Sequence, residues 1–433
     1  MTEDPITGAE HWRRIRRLLN EHRLELAAMA ARLYPGLPRV AGTDLLCWPG
    51  WLPATPLDLA DLRLGWVSSP PPPAADGAGD AAAHVLPRSA AGLAYPTYAA
   101  AIEALDRPAL FENRVCYRLL DAELGGADPA PTDPAPTDQA FPDKARLDAA
   151  RPDPARLDPA RPDQSRPGPA CPPRLRFGLA RYFDALNLGH AVAHELTGAW
   201  ASSGTPPDRA DLDWAALPLR ASAGDPCTLA RRSALTAVTT LTVRRAPGGA
   251  ASFLLHWRDP ARVNHAGGLY QVMPAGIFQP LSAAPAARRH DLSLWRCMTR
   301  EFSEELLGGS EEYPTRGGRL DYGRWPFHRE LAAAREAGTL RVSCLGLGVD
   351  PLTLATDILT VAVFEAGVFD QLFRGLVTEN AEGRVVTQDG SAAIPFTQAT
   401  VDRFTGGAEP LQTAGAALLR LAWQHRGVLG ISG

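Results

Sequence analysis

The 433-residue chain has only six cysteines, the residue that builds zinc knuckles and disulfide scaffolds, and a single lysine. Its six cysteines are scattered with no C-x-x-C spacing, which argues against both kinds of scaffold and predicts free thiols in a reducing cytosol. Lys144 is the only lysine among 44 basic residues, and the formal net charge is −4, so composition gives no sign of a polyanion partner. The sequence has no run of roughly 18 apolar residues and no apolar signal-peptide core. We therefore expect a cytoplasmic protein without a membrane segment.

The apolar content is nevertheless high enough for a sizeable core. Apolar residues make up 45% of the chain, ten of them tryptophan, and the length predicts two or three domains. Between residues 125 and 173, Asp, Pro, Ala and Arg recur at five-residue spacing, which predicts a disordered insertion because proline blocks helices and apolar side chains are scarce. Strand-like segments at Val115 to Leu120 and Leu175 to Leu179 could pair across it. We predict an N-terminal region over 1–124, the insertion over 125–173, and an α/β domain over 174–433.

The N-terminal region opens with an amphipathic pattern that predicts a long helix from about Gly8 to Leu33. Its polar positions include the arginines Arg13, Arg14, Arg16, Arg17 and Arg23. A basic helix of this kind could contact nucleic acid or an acidic protein, but a solvated helix face is the more common explanation.

After the insertion, β-branched and apolar runs alternate with helical patterns. A hairpin is predicted from residues 234–257 around its Pro-Gly-Gly turn, and Leu269 to Met273 is predicted as a third strand. Further strands are predicted at Thr339 to Leu347 and Ile358 to Phe364, and the last helix at Leu411 to His425. This order fits an α/β (α+β) fold with a mixed sheet sandwiched between helices.

The chemistry is concentrated in the helix predicted over Trp295 to Gly309. Glu301, Glu304 and Glu305 share one arc of this helix, at positions i, i+3 and i+4. Neighbouring like charges destabilise a helix, and a divalent cation would remove that repulsion. The cluster therefore predicts a metal site that grips a phosphate chain, with a solvated acidic helix face as the alternative.

The same residues resemble the second half of the Nudix box, Arg-Glu-apolar-x-Glu-Glu-x-Gly-apolar. The resemblance is carried by Arg300, Glu301, Phe302, Glu304 and Glu305. The strand-like segment that leads into Pro274, Ala275 and Gly276 also resembles the family's entry into the box, with Gly276 as the leading glycine. Membership would imply the Nudix fold, Mg²⁺ or Mn²⁺ as cofactor, and hydrolysis of a diphosphate linked to another group.

The sequence departs from the box in three places. Ser282 stands where the family has a glutamate, six residues after the glycine. Gly276 and Arg300 are 24 positions apart where the family has 14, so the intervening loop is ten residues longer. Leu307 occupies the place of the later glycine, and Gly308 follows it.

The resemblance implies a role for each site residue. Glu304 and Glu305 would be metal ligands, with Glu301 as the third carboxylate and as a catalytic residue. Arg300 would orient a glutamate with its planar guanidinium. We also predict Gly276 as a substrate-binding position. Glu365, at the end of a strand, is the candidate general base, with an ordinary solvated strand-end residue as the more common alternative.

Two functions from different classes are compatible with the sequence. The first is a metal-dependent hydrolase of a nucleoside diphosphate derivative or a related small-molecule diphosphate. The alternative is a non-catalytic Nudix-like ligand sensor or transcriptional regulator whose basic N-terminal helix contacts DNA or protein.

Overall fold

A computed structural model describes most of the chain. The described residues are 5–89, 91–108, 111–125, 172–259, 267–309, 313, 315–316, 319–377, 383–385, 393–407 and 409–432. The predicted insertion lies almost wholly outside them, as do Cys171, Glu311 and Glu312.

The elements before residue 232 comprise helices and short strands. The helices are α1 (Pro5–Glu21), α2 (Arg23–Arg32), α3 (Tyr98–Leu105), α4 (Tyr182–Ser203) and α5 (Pro218–Ala223). The strands are β1 (Leu57–Asp58), β2 (Arg63–Trp66), β3 (Val115–Glu123) and β4 (Arg174–Arg181). The single helix predicted at the N-terminus is two helices, which His22 separates.

The remaining elements supply the other strands of the main sheet, two smaller sheets and the covering helices. The strands are β5 (Thr236–Arg245), β6 (Ala251–Phe253), β7 (Leu255–Arg258), β8 (Tyr270–Val272), β9 (Ala275–Ile277), β10 (Thr315–Arg316), β11 (Arg319–Leu320), β12 (Leu340–Val349), β13 (Thr356–Glu365), β14 (Gly383–Val385) and β15 (Ile394–Pro395). The helices are α6 (Pro285–His290), α7 (Leu294–Glu301), α8 (Pro326–Glu336), α9 (Ala366–Leu372), α10 (Gln398–Thr405), α11 (Thr413–Gln424) and α12 (Arg426–Leu429). The two smaller sheets are β10-β11 and β14-β7-β8.

The main sheet is mixed. Its strand order is β1-β12-β13-β5-β6-β15, with β9 also paired to β5. β5 and β13 run parallel, whereas the other pairs are antiparallel. The two central strands are rich in Val, Leu, Ile and Thr, which suits strands that are buried on both faces.

Helices cover both faces of this sheet. Successive strand residues point to opposite faces, and the last two residues of β5 show this. Arg244 pairs with Asp370 of α9 at 2.7 Å, whereas Arg245 donates to the carbonyl of Gly430 at 3.3 Å, just after α12. α7 packs against β5 and β9, and α11 packs against β5, β12 and β13. The prediction of a mixed sheet sandwiched between helices is confirmed.

The N-terminal unit continues beyond the insertion. β4 pairs antiparallel with β3 and parallel with β2, so the predicted pairing across the insertion is confirmed. α4 packs against α1, α2 and α3, and its buried His194 lies 3.0 Å from the hydroxyl of Tyr98. Burial lowers the pKa of His194 to about 3, so this imidazole is neutral. The predicted boundary at 174 falls inside this three-stranded sheet, and β1, from the same N-terminal part of the chain, belongs to the main sheet, so the strand pairing gives no domain boundary at the end of the insertion.

Two general expectations can be compared with the described part of the chain. There, no helix is long and apolar enough to cross a membrane. The five cysteines in it, Cys47, Cys116, Cys227, Cys297 and Cys344, are free and buried.

Two glycines of α4 give a matched test of its packing. A Cβ at Gly189 would lie 2.5 Å from the carbonyl oxygen of Thr353, whereas a Cβ at Gly198 would meet nothing within 4 Å. We expect Gly198→Ala to stabilise the protein by about 0.5–1 kcal/mol through helix propensity. Gly189→Ala should destabilise it by about 1–3 kcal/mol, because backbone must move. Urea unfolding measures both, and equal stability of the two variants would contradict this packing.

Candidate functional site

The Glu-rich helix begins regularly and then widens. The Ser293 side chain accepts a hydrogen bond from the Arg296 amide at 3.4 Å, which caps the first turn of α7. From Phe302 to Leu306 the helix is of the π type. Helical spacing predicts one apolar stripe along the helix, formed by Trp295, Met298, Phe302 and Leu306. The last three are fully buried against the core, whereas Trp295 is partly buried.

The π turn changes which side chains stand next to each other. Its hydrogen bonds close from i to i+5 instead of i+4, so it accommodates one extra residue. That extra residue accounts for Gly308, which lies one position later than the glycine of the Nudix pattern. It also changes the angles between Glu301, Glu304 and Glu305 from those of a regular α-helix.

Glu301 and Glu305 both reach the backbone of β9. The amide of Ala275 donates to Glu305 Oε1 at 2.9 Å. The carboxylate of Glu301 stands against the Cα of Gly276, where the Cβ of any other residue would overlap it. Gly276 is held in this place by antiparallel pairing with Val238 of β5. The structure therefore brings together Glu301, Glu305 and the predicted position Gly276.

Glu304 is engaged by a residue that the sequence pattern did not indicate, and it stays close enough to Glu301 that burial and then both carboxylates raise the pKa of Cys297 and of Tyr313. The hydroxyl of Tyr313 donates to Glu304 Oε1 in a short hydrogen bond. The Tyr313 ring packs against Trp325 with ring centroids 4.9 Å apart. Burial and then the bond to Glu304 raise the pKa of Tyr313 above its ordinary value, so the phenol stays protonated as a donor. Only this long-range contact, absent from the sequence pattern, identifies Tyr313.

Arg300 is buried beside an aspartate, so the prediction that it orients a glutamate is wrong. Its guanidinium donates to the hydroxyl of Tyr322 and to the carbonyl of Gln279, both at 2.6 Å. The nearest acid is Asp291, whose Oδ1 is 4.0 Å from Arg300 Nη1 and whose Oδ2 accepts the Leu281 amide at 2.9 Å. Arg300 thus links the C-terminal end of α7 to the loop that precedes this helix.

Asp291 also accounts for the glutamate that is missing at position 282. In the Nudix pattern the glutamate precedes the arginine by eight residues, and Asp291 precedes Arg300 by nine. Ser282 itself is exposed at the start of the longer loop. A search six residues after Gly276 does not find Asp291, because the ten extra loop residues, which include α6, lie between Gly276 and Asp291.

Glu365 lies away from the other predicted site residues. It ends β13 and accepts a hydrogen bond from Arg245 at 3.2 Å. The preceding residue, Phe364, packs against Phe302 of the Glu-rich helix with ring centroids 5.7 Å apart. Because successive strand residues point to opposite faces, Glu365 projects from the other side of the sheet. Its predicted role as general base is therefore wrong.

The donor set around the helix suits a cation that is shared with phosphates. In the ranges that the structure describes, no three His, Cys, Asp or Glu side chains gather closely enough to hold a metal ion. Mg²⁺, however, is commonly held by one or two carboxylates together with substrate phosphates and water, and Glu301 with Glu305 provides such a pair. Cys297 Sγ lies 4.0 Å from Glu301 Oε1, but burial raises the pKa of this thiol, so it is not a thiolate ligand.

Two cavities among the described residues lie elsewhere. One is a nearly closed space of about 10 Å³ under α1 and α2, next to Arg16, Arg23 and His190. The other is an open groove of about 380 Å³ beside β2, lined by arginines and Trp66. Neither includes a glutamate of the helix, all three of which are partly exposed.

Comparisons with known proteins return solved structures only. No protein-family model and no curated protein matches the sequence. The chain is similar to the crystal structure of a Nudix hydrolase from M. Smegmatis, RenU, with 15% identity and a TM-score of 0.22 over 45% of this chain and 88% of that one. It is also similar to a NUDIX hydrolase from Alicyclobacillus acidocaldarius, with 16% identity and a TM-score of 0.25 over 43% of this chain and 90% of that one. Identity and TM-score are low in both cases, so the function has to be inferred from the contacts of the glutamates.

Proposed function

We propose that this protein hydrolyses a small molecule that contains a diphosphate, such as a nucleoside diphosphate derivative, with Mg²⁺ or Mn²⁺ as cofactor. The observation that carries the proposal is the convergence of Glu301 and Glu305 on the bare backbone of Ala275 and Gly276. Two partly exposed carboxylates side by side repel each other, and a divalent cation with phosphate oxygens as its remaining ligands removes that repulsion. The five buried free thiols are in keeping with a cytosolic location, which is part of the proposal.

Each residue of the site then has a distinct task. When bound, the cation would neutralise diphosphate oxygens and lower the pKa of an attacking water. Glu305 is held in place by the Ala275 amide, and Glu301 accepts the proton that the water loses as the bridging P–O bond breaks. Arg300 keeps the helix against its loop and does not contact the substrate.

The alternative of a nucleic-acid-binding regulator receives no support from the N-terminal helix. Arg13 donates to the carbonyl of Leu105 at 3.0 Å, and Arg16 pairs with Asp106 at 3.0 Å, so both are bound to the end of α3. Of the five predicted arginines, only Arg14 and Arg17 are exposed. An isolated pair of arginines is a weak basis for binding a polyanion.

The first prediction concerns the carboxylates. We expect Glu301→Gln and Glu305→Gln to lower the rate of Mg²⁺-dependent diphosphate hydrolysis by at least about 100-fold, because proton transfer and cation binding both need the charge. Glu304→Gln should also impair turnover. The measurement is phosphate-bearing product release from a panel of nucleoside diphosphate derivatives, with the exposed Glu330→Gln as control. If no compound turns over with either metal although Mn²⁺ binds, the hydrolase proposal is wrong.

The second prediction concerns Gly276. We expect Gly276→Ala to displace the Glu301 carboxylate and weaken Mn²⁺ binding by about 10-fold or more, because the new methyl group occupies its position. Gly367→Ala is the matched control, since a Cβ there meets nothing within 4 Å. Mn²⁺ titration followed by electron paramagnetic resonance measures the affinity without turnover. Unchanged affinity in Gly276→Ala would show that Glu301 is not a ligand.

The third prediction concerns Tyr313. Groups that hydrogen-bond to metal-binding carboxylates fix their orientation, and removing such a group typically costs about 10–100-fold in affinity. We therefore expect Tyr313→Phe to weaken Mn²⁺ binding by about 10-fold, while Tyr95→Phe, which removes a phenol far from α7 in sequence and packing, leaves it unchanged. Tighter binding in Tyr313→Phe would mean that the phenol instead withholds Glu304 from the cation.

A further inference from the structure

Three arginine side chains are buried where the N-terminal unit meets the main sheet. Arg118 of β3 is 2% exposed, Arg220 of α5 is fully buried, and Arg232, just before β5, is 3% exposed. Within the described chain, none of the three has a carboxylate within 4 Å. Arginine is rarely buried without an anionic partner, because removing a cation from water carries a large free-energy cost.

Two of these arginines donate mainly to backbone carbonyls. Arg118 donates to three carbonyl oxygens, those of Arg232, Pro71 and Ala230, at 2.7–3.1 Å. Arg220 donates to the carbonyls of Pro351 and Leu352, both at 2.6 Å. Carbonyl oxygens accept from both terminal nitrogens of Arg220, whose Nε has no partner among the described residues, and from all three nitrogens of Arg118. These oxygens bring no negative charge.

Arg232 is different because most of its donors have no partner. Its Nη2 donates to the hydroxyl of Thr356 at 3.0 Å, but its Nε and Nη1 contact no acceptor among the described residues and are closed off from solvent. The hydroxyl of Thr236 is also buried without a partner. Thr236 and Thr356 are directly opposite each other in the parallel pair β5 and β13, so both side chains point to the same face.

No carboxylate among the described residues contacts Arg232, although Asp225 lies close enough for its charge to act on the guanidinium. Asp225 is the acid that influences it most, but its Oδ1 accepts the Cys227 amide at 2.7 Å and burial raises its pKa. Burial likewise raises the pKa of Cys227 and Tyr34, so both are neutral. Burial lowers the pKa of Arg232 to about 10, which still leaves the guanidinium charged at neutral pH.

We propose that Arg232, Thr236 and Thr356 form a buried binding site for a small monovalent anion of the size of chloride. The orphaned N–H groups and hydroxyl are hydrogen-bond donors that lie at the same end of the parallel strand pair. A water molecule could accept from these donors, but it would bring no negative charge to the Arg232 guanidinium, which no carboxylate of the described residues contacts. A halide satisfies the donors and the charge together. The site is independent of the proposed hydrolase function, and it would clamp β3 and α5 to the start of the main sheet.

Bromide tests the site directly, because its anomalous scattering distinguishes it from water. We expect crystals of the full chain grown or soaked in sodium bromide to show an anomalous peak within hydrogen-bonding distance of Arg232 Nη1 or Nε. The peak should be absent or weak in Thr236→Val, which removes one donor and keeps the side-chain shape. A wild-type crystal with ordinary water density and no anomalous peak at this position overturns the proposal.

Unfolding in solution gives a second readout. Replacing 300 mM gluconate by 300 mM bromide should raise the midpoint of thermal unfolding of the wild type by about 2–4 °C, because an anion that binds only the folded state stabilises it. The rise should vanish in Arg232→Met. It should persist in Arg231→Met, which removes a neighbouring charge whose donors bind the carbonyls of Ser222 and Ala223. If bromide raises the unfolding midpoint of Arg232→Met as much as that of the wild type, the anion binds elsewhere and the assignment is wrong. If Arg232→Met does not fold, Thr236→Val is measured instead, and bromide should raise its midpoint less than that of the wild type.

Discussion

The contact between the Glu301 carboxylate and the bare Cα of Gly276 is the constraint on which the rest of the site depends. It fixes how closely the Glu-rich helix approaches β9, and it requires a residue with no side chain at that point of the sheet. The buried stripe from Met298 to Leu306 holds the helix at this depth. Arg300, through Tyr322 and the loop carbonyl of Gln279, prevents the helix from rotating.

The π turn then divides the acidic residues between two environments. Glu305 joins Glu301 on the β9 backbone, while Glu304 turns toward Tyr313. An uninterrupted α-helix would keep all three on one arc, where their mutual repulsion is greatest. The wider turn brings Glu304 to a neutral hydrogen-bond donor, the Tyr313 phenol, and we propose that Glu301 and Glu305 share a cation. π turns are frequent at functional sites for this reason: they re-aim side chains at the cost of a single residue.

The sequence was sufficient for the sheet and the helices because both are encoded by local periodicity. The β-branched runs of β5, β12 and β13 and the apolar stripe of the Glu-rich helix can be read within a short window. The features that it did not predict all depend on distant partners. Asp291 is recognised only once the extra loop residues are placed before it, and Tyr313 only once the aromatic contact with Trp325 brings it onto Glu304.

The domain boundary and the general base failed for a related reason. A composition shift at the insertion suggested that a new unit begins at residue 174, but β4 completes a sheet with strands that precede the insertion. Glu365 was predicted as the base because it ends a strand. Successive strand residues point to opposite faces of the sheet, so Glu365 faces away from the Glu-rich helix that Phe364 contacts. Neither the partner of a strand nor the face of its last residue can be deduced from composition.

The central claim is that Glu301 and Glu305 hold a cation together at the β9 backbone. The most direct measurement is the anomalous difference density of Mn²⁺ in crystals of the full chain grown with a non-hydrolysable diphosphate analogue. We predict one or more ions with a carboxylate oxygen of each glutamate at about 2.0–2.2 Å and with phosphate oxygens in the remaining positions. Manganese found elsewhere, or an analogue bound without contact to either glutamate, would contradict the claim.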